Sequence, residues 1–313
     1  MKHRKINILV AVLYASLCFG TAFCVGHNYD DPMPADFLKK DRMSQEQSGK
    51  ASRRWPLSFR GTKNNEITGS QFLKPISERM NSGEGMVRVL QIGDSHVKGN
   101  YFPRALEQVL MSHYGGAVLE GVDMDCAPAL DDAGMTFNYI GINGARTVRF
   151  TEPDMLERIA NLNPDLVIVS FGTNEAHGKF NKNEHFYTLD ALISGIRRNS
   201  PNAVFLLTTP PGSYITTSGQ SWRDRRGRWH SSAVHVPNKR TAEVAEAIVE
   251  YGQKHNIAVW DVYSIAGGEA FACPNWRNSG LMQTDQIHFT VQGYELQGSM
   301  LGEAIVEGLQ RSL

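Results

Sequence analysis

The sequence has few cysteines and no surplus of charge of either sign. Only four of its 313 residues are cysteine, and only Cys126 and Cys273 lie beyond the N-terminal 25 residues. No Cys/His cluster has the spacing of a zinc site. The formal net charge is zero, which excludes the basic surplus of a nucleic-acid-binding protein. We therefore expect no metal, no cofactor and no nucleic-acid partner. In an oxidising compartment Cys126 and Cys273 either form a disulfide or remain two separate buried thiols.

Residues 1–22 have the features of an export signal. Three cations precede an apolar run over residues 6–19, and small residues suited to a signal peptidase follow it. The run is short for a spanning helix, although its extension to Val25 allows an uncleaved membrane anchor. Lipidation at Cys18 or Cys24 is a third alternative. We expect a periplasmic or cell-envelope protein that meets the membrane only through this segment.

Two further regions follow the leader. Residues 23–69 are polar and lack apolar periodicity, which predicts a linker that is partly disordered and spaces the domain from the membrane. Residues 70–313 are long enough to bury the core of one large domain, and the chain as a whole is 41% hydrophobic and 20% charged. This composition is typical of an ordinary globular protein.

Short apolar segments alternate with amphipathic ones along the domain. Strands are expected at residues 87–92, 165–171, 203–209 and 257–262, and a further one at 117–122. Helices are expected at residues 72–80, 101–114, 155–162, 184–198, 238–255 and 291–309, and the remainder of 117–150 reads as glycine-rich and irregular. Such alternation predicts a mainly parallel sheet in a three-layer α/β/α sandwich, similar to flavodoxin.

Polar residues follow two of these strands directly, and a third polar group precedes the last helix. Gly93-Asp94-Ser95-His96 ends the first strand, and Gly172-Thr173-Asn174-Glu175 ends the second. Asp285-Gln286-Ile287-His288 comes before the closing helix. Open α/β sheets bind their ligands at the carboxyl ends of the strands, so these groups are expected to converge.

The residue types in these groups suit nucleophilic catalysis. A serine hydroxyl needs a base to remove its proton, and the base works best when an acid holds it in one tautomer. Ser95, His288 and Asp285 supply nucleophile, base and acid, since a separation of three residues places Asp285 and His288 on one side of a turn. Candidate oxyanion donors are the backbone N–H groups of Ser95 and Gly144 and the side-chain amide of Asn174. Asp94 is then left to brace the loop through hydrogen bonds.

These blocks, in this order, resemble the SGNH (GDSL-type) hydrolases over residues 87–311. The resemblance implies Gly93-Asp94-Ser95 as the nucleophile block, Gly144 as a backbone donor, Asn174 as a side-chain donor, and Asp285 with His288 as acid and base. No motif distinguishes Gly144 from the nearby Gly141 and Gly134. The family implies an SGNH hydrolase-like fold and a carboxylic ester hydrolase.

Two departures from the common family pattern narrow the resemblance. His96 replaces a leucine, and Glu175 replaces an aspartate. Both are similar to the bacterial exported esterases that remove O-acetyl groups from peptidoglycan, which implies an acetylated glycan as the substrate. His96 either contacts that substrate or packs beside the site. The carbohydrate-binding module that some of these esterases insert between the nucleophile and backbone-donor blocks is absent from this sequence.

Residues 210–237 are too long for a simple connection between a strand and its helix. This segment contains Trp222 and Trp229 and four arginines. The tryptophans can stack on sugar rings and the arginines can bind carboxylates. The alternative is a solvated flap with its own small apolar cluster.

Other functions fit the sequence less well. A two-metal phosphoesterase needs a Gly-Asp-x-x-Asp block and a terminal Gly-His-x-His, and neither is present. An α/β-hydrolase has Gly-x-Ser-x-Gly at its nucleophile, whereas Val97 stands in place of the second glycine. Three functions remain: a carbohydrate O-acetylesterase, an esterase or lipase for small or lipid esters, and a non-catalytic envelope protein that binds glycans.

Overall fold

A six-stranded sheet forms the centre of the computed structural model, which describes residues 55–83, 85–115 and 134–312. The strands are β1 (Ile67–Thr68), β2 (Met86–Gly93), β3 (Gly134–Gly141), β4 (Leu166–Ser170), β5 (Val204–Thr208), β6 (Tyr214–Arg223), β7 (Trp229–Pro237) and β8 (Ala258–Trp260). The sheet order is β1-β8-β5-β4-β2-β3, and every pairing is parallel except that of β1 with β8. Strands β6 and β7 form a separate two-stranded sheet.

Helices cover both faces of the sheet. They are α1 (Lys74–Ser82), α2 (Ser95–Lys98), α3 (Tyr101–Tyr114), α4 (Pro153–Leu162), α5 (Thr173–His177), α6 (Lys182–Arg197), α7 (Arg240–His255), α8 (Val262–Ile265), α9 (Gly268–Asn278) and α10 (Val291–Arg311). Two 3₁₀ helices span Ser70–Leu73 and Thr147–Thr151. None of the helices within the described ranges is both long and apolar enough to cross a membrane.

Successive residues of the central strands belong to two different cores. Val87 and Val89 of β2 pack in the core that contains α3 and α10, whereas Leu90 and Ile92 pack in the core that contains α4, α6 and α7. A strand covered on both faces has no polar side, which explains why β2 and β4 are nearly continuous apolar runs. The expected three-layer α/β/α sandwich with a mainly parallel sheet is confirmed.

The N-terminal boundary of the domain lies earlier than residue 70. The Trp55 ring stacks on that of Phe59 with a centroid separation of 5.4 Å, and Phe59 packs edge-on against Trp276 at 5.1 Å. Strand β1 adds an antiparallel edge to β8. Residues 55–69 are therefore part of the domain rather than of a polar linker, because a few apolar residues anchor a segment that has no periodicity. The leader 1–22 and the rest of the predicted linker lie outside the described residues.

Two other segments differ from the sequence-based expectation. Strand β3 lies in the region expected to be irregular and pairs with β2 along its whole length; its glycines and polar residues gave no strand pattern. The segment 210–237 is largely an antiparallel hairpin of β6 and β7, not a loop. The strand expected at 117–122 lies outside the described residues.

Only one of the two mature cysteines lies in the described part of the chain. Cys273 is buried in α9 and its thiol donates to the Ser213 carbonyl oxygen at 3.4 Å. Burial raises the pKa of this thiol to about 12. Cys126 lies outside the described residues, so its pairing with Cys273 stays a prediction.

Candidate active site

Strands β2, β3 and β4 end at the same edge of the sheet. In the pairing, Gly93 stands beside Gly141 on one side and Ser170 on the other. A Cβ on Gly93 would overlap the Val97 side chain and lie 2.7 Å from the Ser170 carbonyl oxygen, so only glycine fits where the chain turns from β2 into α2. The polar groups that follow these strands therefore meet in one place.

Ser95, His288 and Asp285 form a continuous chain of hydrogen bonds at this edge. The Ser95 Oγ atom lies 2.9 Å from His288 Nε2. His288 Nδ1 lies 2.7 Å from Asp285 Oδ2. The three residues come from the start of α2 and from the loop before α10, and the structure brings them together as the sequence predicts.

The carboxylate of Asp285 determines the tautomer of His288. An ionised carboxylate only accepts hydrogen bonds, so Nδ1 carries the proton and Nε2 is free to accept the Ser95 hydroxyl proton. Partial burial raises the pKa of Asp285, but hydrogen bonds from the His288 ring and from the backbone N–H groups of Ile287 and His288 outweigh it and lower the pKa overall. Asp285 therefore stays ionised well into the acidic range.

Asp94 has a different role from Asp285. It caps α2, and its Oδ1 atom accepts the His96 backbone N–H at 2.9 Å while Oδ2 accepts the Asn174 side-chain N–H at 3.1 Å. Burial raises the pKa of Asp94 to about 7, opposed by the His96 N–H and assisted by the negative charge of Glu175. Both carboxylate oxygens are occupied by N–H donors, so Asp94 braces the nucleophile loop as expected.

The turn that contains Gly144 lies beside this loop. The Ile142 N–H donates to the Gly93 carbonyl oxygen at 3.1 Å. The Ala145 N–H donates to the Ile142 carbonyl oxygen, also at 3.1 Å, and this bond closes the turn. Gly144 is exposed and has φ +70°, a conformation that favours glycine. Of the three candidate glycines, Gly134 starts β3 at the opposite edge of the sheet and Gly141 packs against the backbone of α2. The structure therefore places Gly144, and not the other two, in an open turn at the site.

Asn174 joins the nucleophile loop to this turn. Its side-chain nitrogen donates to Asp94 Oδ2 at 3.1 Å and to the Ala145 carbonyl oxygen at 2.9 Å. Both N–H groups of the amide are therefore occupied in this state. For Asn174 to donate to an oxyanion, one of these hydrogen bonds must be shared or exchanged.

Glu175 ties the segment after Gly144 to the end of β4, a role that the sequence did not predict. One of its buried carboxylate oxygens accepts the backbone N–H and the hydroxyl of Thr147, each at 2.8 Å, and the other accepts the Gly172 N–H at 3.1 Å. These contacts fix the residues on either side of the site. The replacement of aspartate by the longer glutamate was the only sequence signal for this role.

His96 packs behind the site. It is 7% exposed, its Nδ1 atom lies 2.9 Å from the Tyr294 hydroxyl, and its ring centroid is 5.4 Å from that of His288. Burial, and to a lesser extent the neighbouring His288, lower the pKa of His96 to about 3. Of the two interpretations of His96, the geometry supports packing beside the site rather than contact with substrate.

The buried imidazole of His96 should make the fold sensitive to acid. Between about pH 3 and its ordinary pKa of 6.5, the unfolded chain binds a proton that the folded chain excludes. The free energy of unfolding should therefore fall as the pH decreases from 6.5, by at most about 1.4 kcal/mol per pH unit. Denaturant unfolding at pH 7 and pH 4.5 should show a smaller loss for His96→Gln than for the wild type.

The exposed His113 of α3 supplies the control for this measurement. A His113→Gln variant should lose as much stability on acidification as the wild type. Equal losses in the wild type and both variants would show that His96 does not contribute to the acid sensitivity.

Trp222 and Trp229 lie near the tip of the β6–β7 hairpin. Their side chains are 49% and 68% exposed. Trp222 stacks on His230, and the Arg223 guanidinium lies 5.0 Å from the centre of the Trp229 ring. Trp222 and Arg223 are neighbours in β6, and Trp229 pairs with Arg223, so the two tryptophans face opposite sides of the hairpin.

The base of the hairpin, in contrast, is attached to the catalytic loop. The Tyr214 N–H at the start of β6 donates to the Gln286 carbonyl oxygen at 2.9 Å. The strand up to Trp222 has a length of about 26 Å at the usual rise per residue. The tryptophans are thus carried on an arm that begins at the site.

The protein thus has a three-layer α/β/α architecture with a Ser-His-Asp hydrogen-bond chain at the carboxyl edge of its sheet. The chain matches the model of the GDSL-like lipase/acylhydrolase family over residues 92–296, which is more than half of its length. The chain therefore belongs to this SGNH-type family and is a carboxylic ester hydrolase. No curated protein matched the sequence.

Several solved structures are similar to this chain at low sequence identity. A peptidoglycan O-acetylesterase matches with a TM-score of 0.61 and 19% identity, covering 80% of this chain and 99% of that one. A family 3 carbohydrate esterase from Talaromyces cellulolyticus has a TM-score of 0.47 and 16% identity, over 72% and 99% of the two chains. A GDSL-like lipase from Bacteroides thetaiotaomicron has a TM-score of 0.45 and 15% identity, over 77% and 99%.

Proposed function

We propose that this protein is an exported esterase that removes O-acetyl groups from a carbohydrate through an acetyl-Ser95 intermediate. The observation that carries the proposal is the unbroken hydrogen-bond chain from Ser95 through His288 to Asp285. This chain supplies a nucleophile, a base in the correct tautomer and an ionised acid at the open edge of the sheet.

The geometry suggests the following reaction. As the Ser95 oxygen attacks the acetyl carbonyl carbon, its proton passes to His288 Nε2, and the carbonyl oxygen becomes an oxyanion. The backbone N–H groups of Ser95 and Gly144, with the Asn174 amide, are the proposed donors to that oxyanion. Cleavage of the ester C–O bond takes the proton from His288 to the leaving sugar hydroxyl. Water then attacks the acetyl-serine with His288 again as base, and acetate leaves as the proton returns to Ser95.

Peptidoglycan or another envelope polysaccharide is the proposed substrate. The two family departures at His96 and Glu175 support this assignment, and so does the shared fold with a peptidoglycan O-acetylesterase. Acetate release from O-acetylated peptidoglycan should exceed release from acetylated xylan at equal acetyl concentration. Faster hydrolysis of long-chain acyl esters than of either glycan would favour the lipase alternative. Glycan binding without any ester hydrolysis would favour a non-catalytic binding protein.

We propose that the hairpin arm contacts the glycan strand at a distance from the ester. Because the two rings face opposite sides of the hairpin, both are removed together: the double variant Trp222→Ala/Trp229→Ala should raise the KM for acetylated glycan by about 2-fold to 10-fold, since stacking on one aromatic ring contributes roughly 0.5–1.5 kcal/mol. A small chromogenic acetyl ester is too short to reach the arm and should show an unchanged KM.

Tyr187, which is exposed on α6, provides a matched control for this test. Tyr187→Ala should leave the KM for glycan at the wild-type value. An equal rise in KM for the glycan and for the small ester would show that the tryptophans act through the structure of the site instead.

A further inference from the structure

We propose that Arg146 and Arg240 form an anion subsite beside the catalytic centre, where they bind a carboxylate of the glycan substrate. This inference rests on the proposed esterase function and specifies the class of substrate as an acetylated glycan that carries carboxylate groups. The two arginines approach Gly178, which follows the helix that carries Asn174.

Arg146 lies directly against Gly178. A Cβ at position 178 would overlap the Nη2 and Cζ atoms of the Arg146 guanidinium, so the absence of a side chain there leaves room for the guanidinium. Arg146 is exposed, and none of the described residues forms an ion pair or hydrogen bond with its guanidinium. Among the described residues, therefore, none competes with a ligand for these donors.

Arg240 reaches the same residue from the start of α7. Its Nη1 atom donates to the carbonyl oxygens of Gly178 and Ala176, the latter at 3.3 Å. Within the described ranges no carboxylate pairs with it, and its remaining N–H groups are not engaged by these two contacts. The carbonyl contacts hold this guanidinium in place, which reduces the entropy lost when an anion binds.

The subsite is continuous with the catalytic centre. Arg146 follows Ala145, whose carbonyl oxygen accepts from Asn174, and stands two residues after Gly144. His177 stands on the same short helix as Asn174, and its Nε2 atom is 3.0 Å from the Ser213 hydroxyl. Burial lowers the pKa of His177, as do the positive charges of Arg240 and His288. The imidazole is thus close to both sites and is a neutral hydrogen-bonding group.

The neighbouring Arg149 is an example of a guanidinium on this surface that is paired with carboxylates of the protein. Its nitrogens bind Glu152 at 2.8 Å and Asp154 at 2.7 Å. Arg149 is therefore satisfied within the protein, whereas Arg146, three residues earlier, has no such partner in the described part of the chain. The planar guanidinium matches a carboxylate through paired hydrogen bonds, which favours an acidic sugar or the acidic substituent of a sugar as the ligand.

Steady-state kinetics of full-length Arg146→Gln test the proposal. The substrates are an acetylated glycan that carries carboxylates and the same glycan with its carboxyl groups reduced to alcohols. The ratio of the variant's KM to the wild-type KM should be about 5-fold to 10-fold larger for the first glycan than for the second. Arg146→Lys, which keeps the charge but not the planar fork, should recover part of the loss. Arg149→Gln should keep the wild-type ratio of the two KM values. Equal rises for the two glycans in Arg146→Gln would overturn the subsite.

Binding measurements separate this proposal from the esterase assignment. Calorimetry with Ser95→Ala can compare uronic-acid oligosaccharides, muramic-acid-containing fragments and carboxyl-reduced oligosaccharides, none of which needs to be hydrolysed. We expect Arg146→Gln in the Ser95→Ala background to weaken binding of whichever carboxylate-bearing ligand binds, with a smaller effect of salt than in the parent. If carboxyl-reduced ligands bind as tightly as carboxylate-bearing ones, and Arg146→Gln does not change the affinity, the subsite is refuted even if esterase activity is found. If the wild type shows no esterase activity but binding still depends on Arg146, only the catalytic assignment is refuted.

Discussion

The Ser95→Ala variant should lose acetyl-ester hydrolysis by about 10³-fold or more in kcat, because the Ser95 hydroxyl is the group that lies 2.9 Å from the base, His288 Nε2. Removal of the Oγ atom takes away the atom that would form the acetyl-enzyme. The residual rate would come from the oxyanion donors and from substrate binding, which the substitution leaves in place.

The measurement is acetate release from an acetylated glycan and from a small acetyl ester, together with thermal unfolding of the variant. Alanine at the first position of α2 leaves the Asp94 cap on the His96 N–H intact, so we expect a folded protein. Ser112→Ala, on the exposed face of α3, should keep full activity. Retention of activity by Ser95→Ala would show that another group is the nucleophile, whereas loss of activity in Ser112→Ala as well would indicate nonspecific damage.

The Asp285→Asn variant should lose about 10³-fold to 10⁴-fold in kcat while the site keeps its shape. The amide of asparagine would donate to His288 Nδ1, so that the ring proton would move to Nε2 and face Ser95. In that tautomer the imidazole cannot accept the serine proton. The acid also stabilises the imidazolium that forms during the reaction, and the neutral amide lacks this effect.

Kinetics over a range of pH separate this mechanism from a loss of structure. Wild-type activity should fall as the pH is lowered, because a doubly protonated imidazole accepts no proton, whereas the lowered pKa of Asp285 keeps that carboxylate ionised. Asp154→Asn, which breaks an exposed pair with Arg149, should behave as the wild type. A wild-type rate that does not change between about pH 5 and 8 would count against His288 as the base. An Asp285→Asn variant with full activity would show that His288 needs no acid partner.

Local patterns in the sequence were sufficient to predict most of the sheet and its covering helices. Strands β2 and β4 are nearly continuous apolar runs because both of their faces are buried, and a glycine marks where each run ends. The helix from Tyr101 to Tyr114 was predicted with both ends correct, since its apolar residues have helical spacing and Gly115 follows it. The order of the strands along the chain then indicated the fold class that the structure confirms.

Segments without such patterns were predicted less well. Strand β3 is an edge strand with glycine at both ends, and the hairpin of β6 and β7 is exposed on most of its surface. Neither has the apolar content that reveals a buried strand. The aromatic residues of segment 55–69 contact partners more than two hundred positions away, such as Trp276 against Phe59, and no local window contains both.

The sequence by itself determined which chemical groups are present at the site: a serine after a strand, an Asp–x–x–His group and a Gly-Thr-Asn-Glu block. Those identities follow from short-range patterns, because a strand end, a glycine turn and a separation of three residues are local features. Only the tertiary structure decided how the groups are used. It placed Gly144 rather than Gly134 or Gly141 at the open turn, buried His96, and left Arg146 beside the site without an ion pair to any described residue. These outcomes depend on distances between residues far apart in the chain, which are set by the packing of the sheet and its helices.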